Sequence, residues 1–120
     1  MNNLSDEDAT YKKFNELINM SATEIKKWIE TAESKTVGID SGDGESVGRK
    51  SAKKIVKILE KKKSALTKAD FAHMHKVIAY ISRHAAQGGP AEDKKHSPWI
   101  YSLRNWGHDP EKDQQMKTRS

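Results

Sequence analysis

Cysteine is absent from the chain, which removes disulfide staples, thiolate metal sites and cysteine nucleophiles together. Aliphatic bulk is scarce as well. Leu, Ile, Val and Phe make up 20 of 120 residues, about 17%, below the ~20% at which a highly charged chain reads as disordered. The other half of that signature is missing, because the net charge is only +5. No stretch nears the ~18 apolar residues of a spanning helix, and no apolar signal core stands at the N-terminus. These absences describe a small, lean-cored domain outside the membrane. A reducing interior compartment fits them, and the expected location is the cytoplasm, nucleoid-associated if the source is bacterial.

What is present is charge, unevenly spread. Residues 1–48 hold 5 Lys/Arg against 10 Asp/Glu, a net of −5; residues 49–84 hold 11 against 2, a net of +9; residues 85–120 hold 6 against 5. A basic centre behind an acidic arm fits a polyanion partner, and a lysine-rich solvated helix is the plainer account of the same numbers. The acidic arm suggests a second idea, that it folds over the basic centre as an internal competitor for DNA.

The scarce apolar residues recur at helical spacing. Tyr11, Phe14, Leu17 and Ile18 mark a first helix. Ser21 and Glu24 form a capping box, with Met20 and Ile25 as its hydrophobic staple, and open a second helix that runs through Trp28 and Ile29 to about Glu33. Residues 34–48 are rich in Gly, Ser and Asp and read as a long loop. A third helix spans Arg49–Lys63, with Ala52, Ile55, Val56 and Leu59 on one stripe. Lys50, Lys53, Lys54, Lys57 and Lys61 share a ~100° arc opposite. Thr67 with Asp70, and Leu66 with Phe71, repeat the cap and staple for a fourth helix ending near Gln87. Its core face is Phe71, Met74, Val77, Ile78, Ile81 and Ala85; His73, Lys76, Tyr80, Arg83 and His84 lie opposite. Gly88-Gly89-Pro90 stops it. Ser97-Pro98 starts a short helix through Trp106, closed by Gly107 and Pro110. The expected fold is an all-α single-domain bundle of four main helices plus a short C-terminal helix, with a long loop between helices 2 and 3. Residues 1–8 are expected to be a flexible N-terminus, 9–110 the helical domain and 111–120 a disordered tail.

Catalytic signatures are missing. The run Gly44-Glu45-Ser46-Val47-Gly48-Arg49-Lys50-Ser51 has the wrong spacing for a nucleotide P-loop and no preceding strand. A backbone cradle for a DNA phosphate is the reading that survives there. The five histidines include no H-x-x-x-H pair, and His73 and His75 splay around a helix. His108-Asp109 reads as turn chemistry. No metal, cofactor or enzymatic activity is expected.

Three segments carry a family likeness. The first is Glu45-Ser46-Val47-Gly48-Arg49-Lys50-Ser51 with Lys54-Ile55-Val56-Lys57-Ile58-Leu59. The others are His73-Met74-His75-Lys76-Val77-Ile78-Ala79-Tyr80 with Arg83-His84, and Ser102-Leu103-Arg104-Asn105-Trp106-Gly107-His108-Asp109-Pro110. From about Phe14 to Pro110 the chain resembles a family of small uncharacterised bacterial and fungal proteins often described only as DNA-binding. The resemblance implies a DNA partner.

The leading expectation is a non-enzymatic protein that contacts double-stranded DNA through its phosphates. The candidate contacts are Arg49, Lys50, Lys53, Lys54, Lys57, Lys61, Lys76, Arg83 and Arg104. Arg49 and Arg83 are the candidates for base or stacking contacts. Roughly seven to eight phosphate contacts would cost 10³-fold or more in affinity between 50 and 200 mM salt. Histidines on the fourth helix would add charge below about pH 6.5. The alternative is a protein-interaction module, or homo-oligomer, anchored by Trp28, Trp99, Tyr101 and Trp106. Against it, Trp28 fits the second helix's core stripe and Trp106 can pin the C-terminal segment.

Overall fold

The computed structural model describes residues 5–38 and 45–112. The helices are α1 (Asp6–Leu17), α2 (Ala22–Ile29), α3 (Ala32–Lys35), α4 (Val47–Leu59), α5 (Lys68–Ala86) and α6 (Pro98–Asn105). Two 3-10 turns, Lys63–Ala65 and Lys94–His96, complete the set. The described residues contain no β-strand element, so the chain is all-helical. No helix among them is long and apolar enough to cross a membrane.

Local chemistry explains the boundaries. Ser5 caps α1 by accepting the Asp8 N–H at 3.0 Å, and Asp6, Glu7 and Asp8 place negative charge on the positive end of the helix dipole. The helix therefore already covers residues 6–8, which the sequence assigns to a flexible end. Both capping boxes form, Ser21 with Glu24 and Thr67 with Asp70. Pro98 takes the first turn of α6, where its missing N–H costs nothing.

Two helices end earlier than periodicity suggests. α2 stops at Ile29 instead of near Glu33, because the Thr31 hydroxyl donates to the Trp28 carbonyl at 2.6 Å and accepts the Ser34 N–H at 3.2 Å. That recapping begins the one-turn α3 inside the expected loop; residues 39–44 of that loop lie outside the described residues. α4 stops at Leu59, so Lys61 and Lys63 belong to the following turn and not to the helical lysine row.

Packing pairs α1 with α5 and α2 with α4, and α6 touches α2, α3, α4 and α5. Phe14, Ile25, Ile55, Met74, Val77, Ile81 and Leu103 are all but fully buried at the centre. A central α6 explains how so lean a composition closes a core: this short helix and its C-cap supply Leu103 and Trp106 to the same apolar cluster that α1, α2, α4 and α5 share.

The segment after α6 acts as a clasp. Asn105 is 1% exposed. Its Oδ1 accepts the Trp28 indole N–H at 2.7 Å and the Ser34 hydroxyl at 2.6 Å, while its Nδ2 donates to the Ser34 carbonyl at 3.2 Å. Gly107 has φ +84°, and a Cβ there would stand 2.7 Å from the Ile18 Cδ1, so this turn needs glycine for conformation and for space. His108, far from being plain turn chemistry, is buried and bonds the Leu17 carbonyl through Nδ1 at 2.7 Å. Asn19 and Asp109 exchange side chain–backbone bonds at 2.7 and 3.0 Å. Lys112 reaches the Asn19 carbonyl at 2.8 Å and the Glu24 carboxylate at 2.7 Å. Glu111 and Lys112 are thus placed, although the sequence assigns them to a tail; residues 113–120 are outside the described residues.

Candidate nucleic-acid interface

α4 is the central element of the basic region. Ser46 caps it by accepting the Arg49 N–H at 3.1 Å. Gly48 lets α6 come close, since a Cβ there would lie 3.2 Å from the Trp106 Nε1. Ser51, Ala52, Ile55, Val56 and Ile58 face inward, while Lys53, Lys54 and Lys57 are exposed on the opposite arc. Lys50 shares that arc by helical spacing.

The structure divides the basic residues singled out in the sequence. Arg49 turns inward: its guanidinium donates to the Ile29 carbonyl at 2.9 Å, satisfying an end of α2, and its Nε is enclosed. Arg104 also works inside the fold. It lies 3.0 Å from Glu111 and 3.5 Å from Asp109, with its guanidinium 5.3 Å above the Trp28 ring. Lys61 pairs with Asp70 at 2.7 Å, and this contact, with the Thr67 backbone N–H, holds the Asp70 carboxyl below its usual range. Lys53 sits 2.8 Å from the Glu45 carboxylate. Among the described residues, Lys54, Lys57, Lys76 and Arg83 form no ion pair.

His73 joins the two basic helices. Its Nε2 and the Ser51 hydroxyl are hydrogen-bonded at 2.9 Å, linking α5 to α4. Burial lowers its pKa first, and the charges of Lys54 and Lys76 lower it further; Lys54 is one turn beyond Ser51 on α4 and Lys76 one turn beyond His73 on α5. Burial lowers the pKa of His84 as well. The expectation that this face charges below about pH 6.5 is corrected: these two rings stay neutral to more acidic pH.

The face bearing His73, Tyr80 and His84 is also not a plain solvated face. Trp106 of α6 packs on it, 12° from parallel to Tyr80 at 4.2 Å and 14° from parallel to His73 at 6.3 Å. His84 follows Tyr80 at 5.0 Å, and burial raises the pKa of the Tyr80 hydroxyl, an effect that Ser102 and Arg83 partly offset. Sequence reading missed this column because its middle ring comes from another helix. The hint available was the His73, Tyr80, His84 spacing along one face of α5.

The aromatic residues weighed as interaction anchors have partners within the chain. Trp28 is bonded to Asn105 and lies 5.7 Å from Tyr101, Trp99 donates to the His84 carbonyl at 2.7 Å, and Trp106 is in the ring column. Among the described residues, two carboxylates of the acidic arm pair with the basic segment, Asp8 with Lys63 at 2.9 Å and Glu45 with Lys53 at 2.8 Å. The remainder of the described arm builds α1 to α3. No group of three His, Asp or Glu among the described residues could hold a metal ion.

Fold and surface together define a small all-helical domain with a lysine-bearing helix on its outer side. A family model described as Protein of unknown function (DUF3140) matches residues 13–104, and the chain belongs to that family. No curated protein and no solved structure matches it.

Proposed function

We propose that this protein is a non-enzymatic DNA-binding domain that holds phosphates with the exposed face of α4 and the adjoining side of α5. The observation that carries the reading is the Ser51–His73 hydrogen bond, which joins α4 to α5; Lys54 is one turn along α4 from Ser51 and Lys76 one turn along α5 from His73, Lys57 shares the arc of α4, and none of the three has a carboxylate partner among the described residues. Ammonium groups crowded in this way repel one another, and an anion laid across them relieves that repulsion. Lysines act as point charges on phosphate, so these contacts position a duplex without reading its sequence.

Arg49, Lys61 and Arg104 are spent within the fold, so the footprint is smaller than the sequence suggests. With about five phosphates engaged, the slope of log K against log salt is about −4.5, or roughly a 500-fold loss between 50 and 200 mM. Fluorescence anisotropy with a labelled duplex across that range tests it. Replacing Lys53, Lys54 and Lys57 together by Glu abolishes binding while the helical circular dichroism is retained. Affinity that is flat with salt, or that survives the triple charge reversal, overturns the proposal.

A further inference from the structure

Beside the lysine row, between the start of α4 and the middle of α5, lies a hollow of 270 Å³ lined by Val47, Gly48, Tyr80, Ser102 and Trp106, among others. It is smaller than the ~300–1,000 Å³ typical of small-molecule sites, a size for one planar ring system and not for a dinucleotide. Three features of its surroundings point to what that ring belongs to.

The first is an exposed apolar rim. Val47 is 47% exposed, a large hydrophobic side chain left open to solvent at the mouth of the hollow. The second is a donor without an acceptor. The indole N–H groups of Trp28 and Trp99 are both paired inside the protein, whereas that of Trp106 has no partner among the described residues. It is not among the buried side-chain atoms left without a partner, so it meets solvent, and a carbonyl oxygen or ring nitrogen of a base can take the place of water there. The third is the charge around the opening. Lys50 is one helical turn from Val47, and Lys76 and Arg83 are each one turn from Tyr80. The Arg83 charge acts on the Tyr80 hydroxyl, and the Lys54 charge acts on His73, whose ring stacks towards Trp106.

An apolar slot with one free N–H donor, ringed by cations, matches a base attached to its own phosphates. We infer that the hollow receives an unpaired base of single-stranded DNA, with the flanking phosphates on Lys54, Lys76 and Arg83. This rests on the DNA-binding reading above and deepens it: the lysine row supplies charge, and the hollow distinguishes an unstacked strand from a duplex, whose bases are not available to enter. Tyr80 and Trp106 are already stacked on each other and on their histidine neighbours, so the base meets ring edges and Val47, an apolar contact that selects no sequence.

The test compares three labelled probes of equal length by anisotropy at low salt: an oligothymidylate, an abasic deoxyribose-phosphate strand, and a duplex. The full chain binds the oligothymidylate about tenfold more tightly than the abasic strand, the worth of one well-placed base. Val47→Phe, at an exposed position where a larger ring fills the mouth without entering the core, brings oligothymidylate binding down to the abasic level and leaves duplex binding unchanged. Equal affinity for the oligothymidylate and the abasic strand, or a Val47→Phe effect shared by all three probes, overturns the hollow while the phosphate reading stands. If no probe binds at low salt, both readings fall.

Discussion

Asn105 offers the sharpest test of how the fold is held. Asn105→Ala removes the acceptor of the Trp28 N–H and of the Ser34 hydroxyl, and the donor to the Ser34 carbonyl. Ser34 is 0% exposed, so its two groups are stranded away from water; the Trp28 side chain is only partly buried and can recruit solvent. At ~1–3 kcal/mol for each stranded group, and using the lower end for the two groups of Ser34, the loss is about 2 kcal/mol. A small domain has ~5–15 kcal/mol in total. At ~4–8 °C per kcal/mol for a chain of this class, thermal melting followed by circular dichroism shows a fall of about 8–16 °C. Ser34→Ala alone costs about 1 kcal/mol, because Asn105 keeps its bond to Trp28. In the double variant the hydroxyl is no longer stranded, so the combined loss is smaller than the sum by about 1 kcal/mol. An Asn105→Ala variant that melts within about 3 °C of the parent, or strict additivity with Ser34→Ala, refutes the clasp as a source of stability.

Other perturbations probe separate parts of the molecule. Gly107→Ala meets both a positive φ and the Ile18 side chain; the left-handed conformation alone costs ~1–2 kcal/mol, read as a shift in the urea midpoint with an unchanged slope. Glu45→Gln frees Lys53 from its exposed ion pair and raises duplex affinity up to about fivefold at low salt, the upper worth of such a pair; unchanged or weaker binding rejects Lys53 as a contact. His73 and His84 have folded pKa values below their unfolded ones, so the unfolded chain takes up more protons and stability falls as pH drops below about 6.5. Melting temperature therefore declines from pH 7 to pH 5, and His73→Gln makes that decline shallower; an equal slope in the variant contradicts the burial argument.

Helix starts were legible because they depend on neighbours in sequence. Ser21 with Glu24 and Thr67 with Asp70 are each complete within four residues, and both boxes form as their spacing implies. The stops at Gly88, Gly89 and Gly107 were legible for the same reason, and all three have positive φ. The solvent arc of lysines on α4 followed from periodicity alone. What could not be read was any role set by a distant partner. Asn105 acts on residues 71 and 77 positions away, and nothing beside it in sequence marks it as buried. Periodicity also treats a helix as having one covered face. α5 has two, since α1 packs along it and Trp106 lies over Tyr80 and His73 on another side; this is why a face that read as solvated is partly enclosed.

The division of labour between the two basic residue types bears directly on what the surface can recognise. Arg49 and Arg104 point their guanidinium groups into the fold, at a carbonyl, two carboxylates and the face of Trp28. These are the contacts for which a planar fork of donors is suited. The exposed row on α4 is all lysine, which matches charge but not the paired acceptors of a base edge. A surface made this way would distinguish nucleic acids by charge density and not by sequence. On the DNA-binding proposal, selectivity on this side of the molecule would come from shape, and the hollow under Val47 is the feature there that a duplex and a single strand would meet differently. If Val47→Phe alters discrimination between strands while the lysine reversals alter affinity for both, charge and shape act as separable parts of one surface.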